Sequence, residues 1–448
     1  YGAETVITGY KNYTILSFST EQETSFAYEM LCKDSSLNVI IDSKISASSA
    51  GNLGLTSYSQ SYENWGIDAI GADDMNEYLL ENGSSEELVV VVLDSGINVS
   101  HPFFNNRLLI DSNGDIVGKS YYTTTNESES DFDDDNGHGS HVSGIITSLT
   151  PSNVKILPIK ILNDKGSGDF LYFVMALERV DEVYSEQYNI ACVNISAGGA
   201  TNSYYSSQMD ALFQSLSEKG ILTVVAAGND QLDSSGYMPA NSEYVITVSA
   251  VKQNGNTFEF DKSYSNFGSS IDISAPGTEI YSAYLDNYCV RMDGTSMAAP
   301  QVRGAVALLC LNSKYWSGDT PIYNADQIKA ELLENVVDLG DEGWDKFYGY
   351  GMIDFTYYNV EDRNRDVLDF YDNSTILDEN NFIEFDEQFY LSISKNGDYL
   401  IYYTTDGTIP NTSSNLYTSP ISIENSGIYK FIAIQTENGE VVSISKLY

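Results

Sequence analysis

Basic side chains are scarce in this chain. Its 448 residues carry 22 Lys and Arg against 64 Asp and Glu, a formal net charge of −42 at pH 7. A surface this negative repels phosphate backbones and anionic lipid, which argues against nucleic-acid and membrane-surface partners. No apolar run approaches the ~20 residues that span a bilayer. Cysteine is sparse too. Cys32, Cys192, Cys289 and Cys310 stand far apart, with no CxxC pair and no Cys/His cluster at zinc spacing. Each sits in an apolar stretch and reads as a buried thiol acting as a small hydrophobe. A Cys289–Cys310 disulfide is conceivable, but nothing in the sequence supports it. The only histidines, His101, His138 and His141, fall in one short region. Any imidazole base is confined to them. The chain opens at Tyr1 without a charged-then-apolar leader, as expected of a processed or trimmed product.

What is present is ordinary for globular proteins. Hydrophobic residues make up 42% and charged residues 19%, too apolar for a disordered chain. The length suggests about three domains of roughly 150 residues. Residues 10–45 predict strand, helix, strand: Tyr13–Phe18, then Glu21–Cys32 behind an N-cap at Ser19 or Thr20, then Leu37–Ile41. Residues 46–62 are small and polar and read as a linker. From residue 88 apolar strands alternate with helices. The strands are Leu88–Leu93, Val154–Ile161, Ile190–Ile195, Ile221–Ala226 and Tyr244–Ala250, with helices near Phe170–Glu186 and Ser206–Lys219. This pattern predicts an α/β domain with a parallel sheet covered on both faces, whose ligands bind at the carboxyl ends of the strands. After about residue 358 the helices stop, and residues 365–448 predict a small antiparallel sandwich.

Three strand ends carry chemistry. Asp94 closes the run Val91-Val92-Leu93-Asp94-Ser95-Gly96, where a turn or helix cap is the plainer role. His138 opens a helix between the glycines of Asn136-Gly137-His138-Gly139-Ser140-His141. Ser296 stands in Asp293-Gly294-Thr295-Ser296-Met297-Ala298-Ala299-Pro300, where a loop enters an apolar helix. A Ser there is either an N-cap or a nucleophile beside free N–H groups. Together the three supply a hydroxyl, an imidazole to take its proton and a carboxylate to fix the imidazole tautomer. Asn229, in Val224-Val225-Ala226-Ala227-Gly228-Asn229-Asp230, ends another strand with an amide able to donate to an oxyanion.

VVVLDSGI, NGHGSHVSG, VVAAGND and GTSMAAP, in this order, resemble the signature blocks of the subtilisin-like serine proteases, the subtilases, over roughly residues 62–358. The resemblance implies a parallel-sheet subtilisin-like catalytic domain. Asp94 would be the orienting acid, His138 general base then acid, Ser296 nucleophile, and Asn229 oxyanion donor beside the Ser296 N–H. It implies that extended peptides bind as an added strand between Gly166-Ser167-Gly168 and Ser196-Ala197-Gly198, next to Ala227 and Gly228. His141, one turn past His138, reads as a packing residue. Two departures stand out. Phe103 follows His101-Pro102 where many members place a calcium-binding Asp, and Ile145–Thr150 runs almost directly into the next strand. The usual high-affinity calcium site is therefore expected to be absent, and no metal or cofactor is expected. In Ser235-Gly236-Tyr237-Met238-Pro239-Ala240, either Gly236 or Tyr237 could line the pocket floor, and a Tyr would narrow it.

Residues 1–58 resemble part of a subtilase propeptide plus linker, residues 59–358 the catalytic domain, and residues 359–448 the small sandwich appended to some bacterial carbohydrate-active enzymes. Self-cleavage would fall within 46–62. The expected protein is thus a secreted or surface endopeptidase acting on peptides or proteins, made as a zymogen inhibited by its own propeptide. Its C-terminal domain is expected to be a spacer, with cell-wall or carbohydrate contact as the other role. The alternative is a catalytically silent binding or signalling protein that keeps the fold and its propeptide; an intact triad argues against it. Glu127, Glu129, Asp131, Asp133, Asp134 and Asp135 crowd before His138. A solvated loop is the plain reading. The sharper one is that the run raises the His138 pKa and favours basic substrates.

Overall fold

The computed structural model describes residues 5–8, 14–18, 20–33, 39, 41–48, 51–57, 64–122, 130–201, 203–255, 257–341, 343–356, 358, 368–372, 375–377, 389–395, 399–405, 410, 414–423, 429–435 and 441–447. At the N-terminus β1 (Thr5–Thr8) pairs antiparallel with β2 (Thr14–Ser17). Helix α1 (Glu21–Leu31) starts where the Thr20 side chain accepts from the Glu23 N–H at 3.2 Å, an N-cap satisfying one orphan donor. The expected strand Leu37–Ile41 is not found: Val39 and Ile41 lie outside any strand, and its other residues lie outside the described ones. The expected linker is also corrected. It contains two strands, β3 (Lys44–Ala47) and β4 (Gly51–Ser57).

Helices α2 (Trp65–Ala69) and α3 (Ala72–Asn82) lead into β5 (Leu88–Asp94). Then follow β6 (Lys119–Ser120), α4 (His138–Leu149), β7 (Val154–Lys160), β8 (Ser167–Asp169), α5 (Phe170–Arg179), β9 (Ile190–Ile195), β10 (Ala197–Ala200), α6 (Ser203–Glu218) and β11 (Leu222–Ala226). The remainder of this part comprises β12 (Tyr237–Met238), β13 (Ile246–Asn254), β14 (Thr257–Phe260), β15 (Ile273–Pro276), β16 (Ile280–Ala283), β17 (Tyr288–Asp293), α7 (Thr295–Leu311), the small hairpin β18 (Trp316–Ser317) and β19 (Thr320–Pro321), α8 (Ala325–Glu334), β20 (Val336–Val337) and β21 (Met352–Ile353).

The main sheet has ten strands in the order β20-β21-β15-β13-β11-β9-β5-β7-β6, with β14 added beside β13. From β21 to β6 every pairing is parallel. The apolar run of β5 shows why both faces are covered. Leu88, Val90 and Val92 enter a core shared with α4, α7 and α8, whereas Val89, Val91 and Leu93 enter a second core shared with α5 and α6. Period-two alternation thus feeds two layers from one continuous run. Helix α7 is buried at every residue, Arg303 included, whose guanidinium donates to the Val224 carbonyl at 2.8 Å, so it is covered all round and has no solvent face.

The C-terminal strands form two four-stranded antiparallel sheets. Leu391, Ile421 and Ile423 from one meet Ile401, Phe431 and Ala433 from the other in a separate small core, as a sandwich requires. All four cysteines are free thiols. Cys192, Cys289 and Cys310 are buried as expected, but Cys32 at the end of α1 is exposed, because that helix buries little beyond Ala27.

Candidate active site

Asp94 is the last residue of β5, His138 the first of α4 and Ser296 the second of α7. All three are at least 98% buried. The Asp94 carboxylate is fixed by the Ser95 N–H at 2.7 Å and accepts from His138 Nδ1 at 2.8 Å. A Cβ on Gly139 would collide with the Gly96 carbonyl and come 3.2 Å from Asp94 Cβ. Glycine at 139 is what lets α4 approach the end of β5 closely enough for this contact. Burial pulls the His138 pKa down; the charge and hydrogen bond of Asp94, with the field of Asp134, more than reverse this, and it stands above the ordinary histidine value.

Asp134 is set apart from the rest of its acidic run. Its carboxylate is buried and accepts from Ser95 Oγ (2.8 Å), the N–H groups of Asn136 (3.0 Å), Gly137 (2.8 Å) and Ser140 (2.9 Å), and Ser140 Oγ (2.7 Å). It satisfies N–H groups at the start of α4, whose N-cap Gly137 has no side chain to do so. Asp135 pairs instead with the buried Lys160 at 2.6 Å. Glu127 and Glu129 lie outside the described residues. His141 is buried, and its Nε2 donates to the Ile280 (3.0 Å) and Val290 (3.1 Å) carbonyls, tying α4 to the β16–β17 hairpin. Burial drives its pKa down to about 3.

Ser296 lies in the first turn of α7, so its backbone N–H has no partner within the helix. Pro300 lacks the N–H that would bond the Ser296 carbonyl; Ser196 Oγ donates to that carbonyl at 3.2 Å instead. The Ser296 Oγ donates to the Ser196 carbonyl at 2.9 Å, and His138 Nε2 makes no hydrogen bond. A nucleophile and base can sit apart in this way and engage only on reaction. Asn229 accepts at Oδ1 from the Thr295 N–H (2.9 Å) and Thr295 Oγ1 (3.0 Å), which turns its Nδ2 toward the mouth of the site. Sequence reading did not single out Thr295, although it stands inside the GTSMAAP block.

The site is already filled, by this chain. Strand β3 lies between β8 and β10, antiparallel to both, with Ile45 opposite Gly168, Ser46 opposite Ser167 and Gly198, and Ala47 opposite Ala197. The Ala47 N–H donates to the Gly166 carbonyl at 2.8 Å, and the Ser48 N–H to the Ser196 carbonyl at 3.1 Å. The Ser48 carbonyl accepts from Asn229 Nδ2 and from the Ser296 N–H at 3.3 Å. Beyond it, β4 continues antiparallel along β17, the strand that leads to Ser296. Ile45 and Ser48 are buried while Ser46 is exposed. Lys44 at the start of β3 pairs with Asp169 at 2.5 Å. Gly228 borders the same slot, whereas Ala227 is fully buried behind it, bonded to Val248 and Asn266. Of the pocket candidates, Tyr237 reaches Gly198 and Gly228, and Gly236 faces open space.

Among the described residues no group of three or more His, Cys, Asp or Glu side chains converges as a metal would need. A buried carboxylate–imidazole pair, a hydroxyl in the first turn of a helix and two donors around a carbonyl are together the equipment for acyl transfer to oxygen.

Comparison with known proteins gives the same direction. The profile described as the subtilase family matches residues 85–351. That of the chitobiase/beta-hexosaminidase C-terminal domain matches residues 384–444. Among curated proteins the chain is similar to Proteinase R of Parengyodontium album, 30% identical over 61% of this chain and 66% of that protein. It is similar to Subtilisin DY of Bacillus licheniformis, 32% identical over 64% of this chain and 96% of that protein. It is also similar to the Minor extracellular protease Epr of Bacillus subtilis, 29% identical over 67% of this chain and 42% of that protein.

Proposed function

The chain belongs to the subtilase family of serine endopeptidases, and we propose that it hydrolyses peptide bonds through an acyl-enzyme on Ser296. His138 Nε2 takes the Ser296 Oγ proton as Oγ bonds to the substrate carbonyl carbon. The oxyanion is held by Asn229 Nδ2 and the Ser296 N–H. His138, its tautomer fixed by Asp94, passes the proton to the leaving amine as the C–N bond breaks. Water, deprotonated by His138, then releases the acid and restores the Ser296 hydroxyl. One observation carries this reading: a peptide carbonyl, that of Ser48, sits between those two donors beside the Ser296 hydroxyl. Labelling by a fluorophosphonate probe tests it. Stoichiometric labelling is expected for wild type freed of residues 1–48, and none for Ser296→Ala. An unlabelled wild type would favour a silent binding protein and end the enzyme reading.

The protein is made as a zymogen in this reading, and the bond after Ser48 is the one it cuts in itself. The support is the strand β3, which fills the cleft in the register of a substrate. N-terminal sequencing should find a mature chain beginning at Ser49, and Ser296→Ala should remain uncut. Equal cutting of Ser296→Ala there, with no other protease present, rejects self-processing. Secretion is part of the same proposal, supported by the extracellular relative. The C-terminal sandwich acts as a spacer; pull-down on insoluble polysaccharide distinguishes a carbohydrate-binding role.

A further inference from the structure

Ser48 occupies the position before the cleaved bond, and the slot that receives its side chain has unusual walls. Gly198, on β10, forms one side, and Gly228, just beyond β11, forms the other. In a slot bounded by glycines on both sides a large side chain could enter between two bare backbones. Here the space is taken. An ideal Cβ on Gly198 would fall 2.8 Å from Tyr237 Cε1, and one on Gly228 would fall 3.1 Å from the same atom. One edge of the Tyr237 ring therefore packs against both walls at once. The ring is held there by its backbone: β12 pairs with β10, with Tyr237 opposite Ala200 and Met238 opposite Gly199. Burial raises the Tyr237 phenol pKa, and the neighbouring Ser48 hydroxyl offsets part of the rise. No aligned hydrogen bond joins the two oxygens, and Ser48 Oγ makes none elsewhere. The ring and the seryl side chain thus share one pocket, with the seryl residue 4% exposed.

We propose that Tyr237 closes the pocket for the residue before the cleaved bond, so that the enzyme cuts after small side chains such as Ser, Ala or Gly and rejects large ones. This rests on the reading of Ser48 as that residue. A leucyl or phenylalanyl side chain would have to displace a ring wedged between two backbones, and close-packed sites resist such overpacking. The bound segment agrees: its buried residues are the small Ser48 at the bond and Ile45 three residues earlier, where the surroundings are apolar.

The experiment uses peptides that differ only at the residue before the bond, with active sites counted by fluorophosphonate titration so that misfolded protein drops out. For wild type, kcat/KM for Phe should lie roughly tenfold or more below that for Ala, the scale on which pocket fit discriminates. Tyr237→Ala should raise the Phe-to-Ala ratio by a similar factor, and Tyr237→Phe, which keeps the ring, should not. Inside the chain, Ser48→Phe should block self-cleavage, and adding Tyr237→Ala should restore it. Equal cleavage after Phe and Ala by wild type, or an unmoved ratio in Tyr237→Ala, overturns the proposal while leaving labelled Ser296 and its chemistry intact. A wild type that never labels fails the underlying reading instead.

Discussion

At the residue scale, the imidazole–carboxylate pair sets the pH behaviour. His138 must be neutral to take a proton, and its pKa is raised. Activity should therefore fall as pH drops through a value above the ordinary ~6.5. Of the acidic run, Asp134 is the member whose field contributes to this shift. Asp134→Asn should move the acidic limb of the kcat/KM profile to lower pH. Asp135→Asn should leave it in place, because Asp135 is paired with Lys160; equal shifts would restore the idea of a collective acidic field. Asp94→Asn should cost about 10⁴ in kcat through the wrong tautomer, as in other serine protease triads. Asn229→Ala should lower kcat by about 10²–10³ with little change in KM, the loss known for this donor in subtilisin itself. A change confined to KM would place Asn229 in ground-state binding instead.

At the element scale, α4 does two jobs. Its first residue carries the imidazole, and its body is pinned to neighbours. His141 bonds two carbonyls of the β16–β17 hairpin. At the far end, Arg107 donates to the carbonyls of Thr147 (2.5 Å) and Val154 (3.2 Å) and to Thr150 Oγ1 (2.6 Å), a cation where the helix dipole is negative. The His141 pKa is held near 3 by burial, against about 6.5 unfolded. The folded state thus favours the neutral ring, and unfolding takes up a proton below pH ~6.5. Stability should decline from that pH down to about 3, by at most ~1.4 kcal/mol per pH unit from this group. His141→Asn should unfold more easily at neutral pH yet show a shallower acid slope, measured by denaturant midpoints at several pH values. An unchanged slope would remove His141 from the account.

At the scale of the whole molecule, the charge of −42 acts at a distance. It should favour association with Lys- and Arg-rich peptides, so kcat/KM for such peptides should fall as salt rises through the range where the Debye length shrinks from ~10 to ~3 Å. A neutral peptide of equal length should show little dependence, and parallel slopes for the two would deny any steering. The other molecular feature is the chain crossing its own cleft. Strands β3 and β4 run from the β8–β10 groove past Ser296 and along β17, so these edges are occupied from within the chain.

The sequence by itself determined the sheet and its equipment. The continuous apolar run Leu88–Leu93 reads as a strand buried on both faces, and Asp94, His138, Asn229 and Ser296 stand at strand ends and helix starts inside blocks that resemble the subtilase signatures. It could not determine what pairs with a weakly patterned segment. Residues 44–57 are mostly small, with a weak pattern of their own, and the extended form of β3 and β4 comes from edges on β8, β10 and β17 distant in sequence. For the same reason the tertiary structure alone singled out Asp134 from its acidic run, gave Thr295 its role and chose Tyr237 over Gly236. A cap, an amide's orientation and a filled pocket each depend on which distant backbone arrives beside the side chain, and the spacing of residues along the chain does not encode that.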